Sequence, residues 1–336
     1  TTGGVTKFLD GNTFSSLYAG GSLGIARGLW VTSGTDWYIY NNAFSRINAP
    51  LSSPATAPAS NSSTTVTAGL SAYGIDIANA TAGYNFYIYN NTINLTGSGG
   101  GANYATSGIN VNVTPNVTLV NNLVINNTTP GTSQAAVAYR RSAAGLTTYQ
   151  SASDNNIFYA GVPSATKLIY GEGVGATTNP QQTLAAYKTF VTPRDANSRT
   201  ENTAFTAAAT DSLLHVSTAV ATFVESGGKP YPSPALTIDI DNQTRSTTAP
   251  DIGADENNFI GLLPQIISAT ANPATGRCTA VSHTVTVVVG SNVTVTGVTL
   301  NYSFDGVAQT PIVMSNGGSG TTWTGVIPAE IGRAHV

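Results

Sequence analysis

The chain has 336 residues, a formal charge of −3 and 9% charged side chains, far below the roughly 25% of ordinary soluble proteins. Its 30 Asn outnumber its 13 Lys plus Arg, and with no basic cluster beyond Arg140-Arg141 nucleic acid is excluded as a partner. One cysteine, Cys278, excludes a disulfide framework and a cysteine-rich metal site, and no apolar run reaches the length of a transmembrane helix.

From the N-terminus, the first predicted strands are Gly28-Leu29-Trp30-Val31 and Trp37-Tyr38-Ile39-Tyr40, the second closing on Asn41-Asn42 and followed by Ala43-Phe44. Residues 48–68, rich in Pro, Ser, Thr and Ala, read as a loop insertion. The unit then returns as Gly74-Ile75-Asp76-Ile77 with Phe86-Tyr87-Ile88-Tyr89-Asn90-Asn91, and as Gly108-Ile109-Asn110-Val111 with Val117-Thr118-Leu119-Val120-Asn121-Asn122. A fourth copy is Ala136-Val137-Ala138-Tyr139 with Ser153-Asp154-Asn155-Asn156. The first Asn of each pair falls at 41, 90, 121 and 155; without the insertion the period is about 32 residues. Short strands repeated at constant spacing predict coils that bury their apolar faces only by stacking, about 4.8 Å apart.

Alternation assigns the side chains. Leu29, Ile75, Ile109 and Val137 form one inward column and Val31, Ile77, Val111 and Tyr139 the next; Ile39, Ile88 and Leu119 form a third. Asparagine at each corner suits a left-handed backbone, and stacked amides can bond as a ladder. Outward columns are then Trp30, Asp76, Asn110, Ala138 and Thr32, Ala78, Asn112, Arg140 on one face, with Tyr38, Tyr40, Tyr87 and Tyr89 on another.

Beyond residue 160 the pattern changes. Residues 178–191 predict one helix, with Pro180 at its start and Leu184, Tyr187 and Phe190 at helical spacing. Later come Asp239-Ile240-Asp241 with Arg245 and Ala249-Pro250-Asp251-Ile252-Gly253-Ala254-Asp255-Glu256. Together with Leu184-Ala185-Ala186-Tyr187 and Asp195-Ala196-Asn197-Ser198, these motifs resemble the C-terminal end of right-handed parallel β-helix (pectate-lyase-like) domains, common in secreted and surface proteins of Bacteroidetes and related bacteria. The resemblance covers residues 1–256, with Asn242 where the family often has Gly. It implies the fold and export, and no single activity.

The expected fold is therefore all-β: a right-handed parallel β-helix over 1–258, with 236–256 closing its last coil and 259–264 a linker. Alternating strands over 265–329 predict an Ig-like β-sandwich, incomplete at about 70 residues against about 100. Residues 330–336 read as translated sequencing adapter, and the chain as a piece cut at both ends, its signal peptide and anchor lost.

Candidate chemistry is sparse. Asp76 and Arg140 are the catalytic candidates, the one charged pairing the columns offer; no two carboxylates stack as an acid–base pair. Tyr38, Tyr40, Tyr87, Tyr89 and Trp30 are the ligand-binding candidates, a stacked aromatic stripe suited to sugar. Asp239, Asp241, Asp251 and Asp255 are metal candidates, since Asp-x-Asp suits Ca²⁺; the structural alternative pairs Arg245 with one of these Asp residues while the segment closes the last coil. His215 and His283 read as ordinary strand residues. No other cofactor is expected. The expectation is a noncatalytic, secreted or cell-surface scaffold whose partner is an extracellular polysaccharide or glycan, or a host or cell-surface component. The alternative is a polysaccharide lyase or glycoside hydrolase whose catalytic coils lie outside this chain.

Overall fold

The computed structural model describes residues 5–21, 24–50, 70–99, 101–173, 176, 178–231, 235–262, 265–273, 281–290, 295–316, 322–329 and 334–335. It is 3% helix and 43% strand, in two compact units, residues 1–259 and 260–336.

The first unit is a parallel β-solenoid of about five turns. It opens with β1 (Lys7–Asp10) and β2 (Thr13–Tyr18). A full coil follows as β3 (Ala26–Val31), β4 (Trp37–Tyr40) and β5 (Ala43–Asn48). The next are β6 (Ala72–Ile77), β7 (Asn85–Tyr89), β8 (Thr92–Leu95), and β9 (Thr106–Val111), β10 (Asn116–Val120), β11 (Leu123–Asn126). The last turns hold β12 (Ala136–Arg141), β13 (Ile157–Tyr159), β14 (Lys167–Glu172) and β15 (Thr178–Gln181). Stacking sorts them into three sheets: A is β1-β4-β7-β10, B is β2-β5-β8-β11-β13, and C is β3-β6-β9-β12-β14-β15. The insertion predicted at 48–68 lies outside the described residues from 51 onward.

Two devices set the register. The first is the asparagine corner. Asn41, Asn90, Asn121 and Asn155 all adopt positive φ, between 46° and 56°, which Asn tolerates better than other side chains. The second Asn of each pair turns inward and bonds to the next: Asn12 Nδ2 donates to Asn42 Oδ1 (3.1 Å), Asn42 to Asn91 (2.9 Å), Asn91 to Asn122 (3.1 Å) and Asn122 to Asn156 (3.0 Å). Asn156 donates to Asp195 Oδ1 at 3.0 Å, so a carboxylate ends the ladder. Its first rung was hidden in the sequence because Gly11, at φ 66°, replaces the left-handed Asn there.

The second device is a column of small residues in sheet C. A Cβ on Gly74 would lie 2.6 Å from the Gly108 carbonyl oxygen and 2.6 Å from Ile93 Cγ2; Gly28 is confined likewise, and Gly108 stands against Ala138. Ala138 is therefore the fourth member, and the fourth coil lies two residues out of the predicted alignment. Tyr139, not Val137, follows Ile109; Arg140 follows Asn110, and Arg141 follows Val111. A two-residue slip preserves the inward and outward alternation, so hydrophobic pattern alone does not detect it.

The core holds Ile39, Phe44, Ile75, Ile77, Phe86, Ile88, Ile93, Ile109, Leu119 and Val124, and ends in Tyr139, Tyr149, Phe158, Tyr170 and Tyr187. The helix expected over 178–191 is confined to α1 (Leu184–Val191). Residues 178–181 instead pair antiparallel with β14, and the Thr183 hydroxyl accepts the Ala186 N–H as N-cap, which fixes the start. Tyr187 and Val191 face the core.

The stretch 236–256, expected to close the last coil, belongs to a longer segment, the described residues of 199–259. They return along the solenoid over sheet B and its corner with sheet A. Leu123, Ile125 and Ile157 are buried there against Val216, Val224, Ile252 and Phe259. The first asparagines hold this segment: Asn155 Nδ2 donates to Gly227 O (2.9 Å), Asn121 to Lys229 O (2.8 Å), Asn90 to Asp251 O (3.0 Å) and Asn41 to Ile238 O (2.9 Å). A flank of identical corners offers identical donors, and an irregular segment satisfies its carbonyls on them.

In the second unit Gln265–Asn272, His283–Gly290 and Thr322–Ile327 form an antiparallel sheet over Val285, Val287, Val289, Leu300, Met314, Trp323 and Ile327. Thr299–Leu300 pairs with Ile312–Val313, and Ser303–Phe304 with Val307–Ala308 and Ala334–His335. The strand expected from Val293 to Tyr302 reduces to Thr299–Leu300, with 293 and 294 outside the described residues; so are Cys278 and, of the adapter-like end, 330–333 and 336. His283 lies on a strand, its Nδ1 2.8 Å from the Pro273 carbonyl.

Candidate functional site

Three places carry the candidate residues. On the outer face of sheet A, parallel register aligns Phe8, Tyr38, Tyr87 and Thr118. The Phe8 and Tyr38 rings stack at 5.3 Å and the Tyr38 and Tyr87 rings at 4.5 Å, nearly parallel. Phe8 ends the stack and is 59% exposed. One residue pair earlier along the strands runs a second column: Asn85 Nδ2 donates to Asp36 Oδ1 (2.9 Å), Asn116 Nδ2 to Asn85 Oδ1 (3.0 Å) and Gln150 Nε2 to Asn116 Oδ1 (3.0 Å). Each of these amides has two N–H groups. This polar ladder went unread in the sequence; its signal was Asp36, Asn85 and Asn116, each two residues before an outward Tyr or Thr.

The other two tyrosines differ. Tyr89 is fully buried, its ring 4.0 Å from Tyr231 of the returning segment, so it leaves the exposed stripe. Burial pushes its hydroxyl far up, helped by Tyr231. Tyr40 sits beside Asp10, and burial together with that carboxylate raises it as well. Periodicity had placed all four outward; what covers Tyr89 arrives from 142 residues later, beyond any local pattern.

Asp76, Trp30 and Arg140 lie on sheet C, apart from the tyrosines. With the corrected register they share one column, Trp30–Asp76–Asn110–Arg140. Asp76 is buried; Arg27 Nε donates to its Oδ2 and Asn110 Nδ2 to its Oδ1, both at 2.8 Å. Burial pushes the Asp76 carboxyl up, and Asn110 and Arg27 pull against it. The Arg27 guanidinium also lies 4.7 Å from the Trp30 ring and 5.0 Å from that of Tyr73. Trp30 is 37% exposed. Arg140 is buried, donates from Nη1 to Gly173 O at 2.8 Å, and is pulled down to about 10 by burial. Chemically this is a tie between neighbouring coils: one carboxylate shared by a cation and an amide, not two carboxylates set for acid–base work.

The third place is the returning segment, which brings Asp239, Asp241 and Asp255 together: one carboxylate oxygen from each lies within 4.8 Å of the others. Asp251 is not among them. Its oxygens accept from Ser226 N (2.6 Å) and Asn257 N (3.0 Å), and burial plus the charge of Glu256 push it up to about 8. Arg245 pairs with Glu256 at 2.9 Å and donates to Asn41 Oδ1 and to the carbonyls of Gly253 and Ala254. His215 is no idle strand residue: its Nδ1 is 2.6 Å from Asp211 Oδ2 and its Nε2 2.7 Å from Asp241 Oδ2. Burial works against its proton, but the bonds to Asp241 and Asp211 outweigh it and raise the imidazole. Asp211, four residues earlier, was the one local signal; Asp241 is 26 residues away and gave none.

Against family models, curated proteins and solved structures, the chain finds no match. Among the described residues no helix is long and apolar enough to cross a membrane.

Proposed function

We propose that this chain is a noncatalytic scaffold of the pectate-lyase-like β-helix class, exported to the cell surface or beyond, that binds an extended polysaccharide along the outer face of sheet A. The observation that carries it is the pair of columns there, aromatic (Phe8, Tyr38, Tyr87) and polar (Asp36, Asn85, Asn116, Gln150), each repeating once per coil. A sugar in an extended polysaccharide advances by about the spacing between stacked coils, roughly 4.8 Å, so successive sugars running along the stack meet the same groups. The mode differs from ring-on-ring stacking. Tyr38 and Tyr87 lie face to face and offer a ligand their edges and hydroxyls, with the amide N–H groups of the ladder beside them. The second unit we read as an immunoglobulin-like module that spaces this face from its attachment.

A glycan array or polysaccharide pull-down with wild type and the double variant Tyr38→Ala/Tyr87→Ala tests this. Binding by wild type that falls at least tenfold in the variant is expected, since about 1.4 kcal/mol of lost contact suffices. Equal binding by both proteins, or none by either, refutes it.

A further inference from the structure

We propose that Asp239, Asp241 and Asp255 form a binding site for a hard divalent cation of the Ca²⁺ class, which ties the two ends of the 239–255 stretch together on the solenoid flank. Asp239 and Asp241 stand on one turn, and Asp255 meets them from the other end of the stretch. Ca²⁺ holds its oxygens at about 2.3–2.6 Å, so ligands on opposite sides of one ion are no more than about 5 Å apart. The three carboxylate oxygens satisfy that limit, lying within 4.8 Å of one another.

The turn is already shaped for the task. Asp239 Oδ1 accepts from Asp241 N (2.9 Å) and Gln243 N (2.7 Å), and its Oδ2 accepts from Glu256 N (2.9 Å), which fixes the carboxylate's orientation. His215 does the same for Asp241 through Oδ2.

A second observation points to a ligand. Asp255 is 1% exposed; its Oδ2 accepts from Val216 N at 2.8 Å, while its buried Oδ1 has no hydrogen-bond partner among the described residues. A buried carboxylate oxygen left without a partner is costly, and coordination to a cation removes that cost. The nearby guanidinium does not serve here, since Arg245 is turned to Glu256 and Asn41. Carboxylate oxygens without a thiolate favour Ca²⁺, Mg²⁺ or Mn²⁺ over softer ions.

Titration of the chelator-stripped full chain with CaCl₂ by calorimetry, alongside thermal melting in CaCl₂ and in EDTA, tests the site. One ion per chain and a higher melting temperature in CaCl₂ are expected. Asp241→Asn should lose the rise in melting temperature that CaCl₂ gives wild type over EDTA, and bind the ion at least about tenfold more weakly. Where that variant fails to fold, Asp255→Asn carries the same comparison. Absence of binding heat with identical melting in both buffers overturns the proposal. Undiminished binding in the variants overturns it too, because the ion then sits elsewhere.

Discussion

Asn91 makes one amide serve four neighbours. It is fully buried; its Nδ2 bonds to the carbonyls of Ile39 (2.8 Å) and Tyr89 (2.9 Å) and to Asn122 Oδ1 (3.1 Å), while its Oδ1 accepts from Asn42. Deleting it leaves several buried polar groups unpaired at once, each costing about 1–3 kcal/mol. Asn91→Ala is therefore expected to destabilise the solenoid by about 3 kcal/mol or more, read as a lower urea midpoint at unchanged slope. Asn85 has the same ladder geometry in the partly exposed column, where water replaces lost partners. Asn85→Ala should cost about 1 kcal/mol or less by the same measurement. Equal losses in the two variants would mean that burial does not set the ladder's worth. Repetition of Asn-Asn made both the corner and the ladder legible in the sequence, yet two identical residues gave no sign of which does which. The backbone decides, since the first takes positive φ and its side chain is left facing the flank.

The coil, as an element, was readable because its strands are short, periodic and apolar on one side. The returning segment was not, because what holds it is long-range: donors spaced by the corners and carbonyls of an irregular chain. The same limit hid the cover over Tyr89 and the 26-residue link from His215 to Asp241, and a two-residue slip hid the column that joins Asp76 to Arg140. Asn121 tests the attachment directly. Its Nδ2 donates to Lys229 O at 2.8 Å and its Oδ1 accepts from Lys229 N at 3.0 Å, so Asn121→Gly removes both bonds while keeping the left-handed backbone available. Amide hydrogen exchange should rise at residues 227–231 with the protection of Leu119 and Leu123 unchanged. A loss of protection in β10 and β11 as well would show that the segment is part of the solenoid's own cooperative unit instead of an attachment to it.

Across the whole chain charge is scarce, at 9% of residues, and much of the buried part of it sits in one stretch, with Asp239, Arg245, Asp251, Asp255 and Glu256 all buried. The pH response of the first unit should therefore concentrate there, and Asp251 gives it a sign. Its carboxyl is pushed up to about 8 by burial first and by the charges of Glu256 and Glu225 next, against the pull of the Asn257 and Ser226 N–H groups. Unfolded, the same carboxyl titrates near 3.9. Between those values the folded chain keeps a proton that the unfolded chain has released, so stability falls as pH rises from about 4 to about 8 and is level outside that window. The loss between about pH 5 and about pH 8 is on the order of 2–4 kcal/mol. Asp251→Asn removes the titration. It sets one amide N–H against a backbone N–H that the carboxylate accepted, for a pH-independent cost of about 1 kcal/mol. Urea unfolding in EDTA, which takes bound cations out of the comparison, should thus show wild type losing stability toward alkaline pH along a slope that the variant lacks. Parallel slopes in the two proteins would mean that Asp251 is ionised in the folded chain, its charge held by Ser226 and Asn257 despite the neighbouring Glu256.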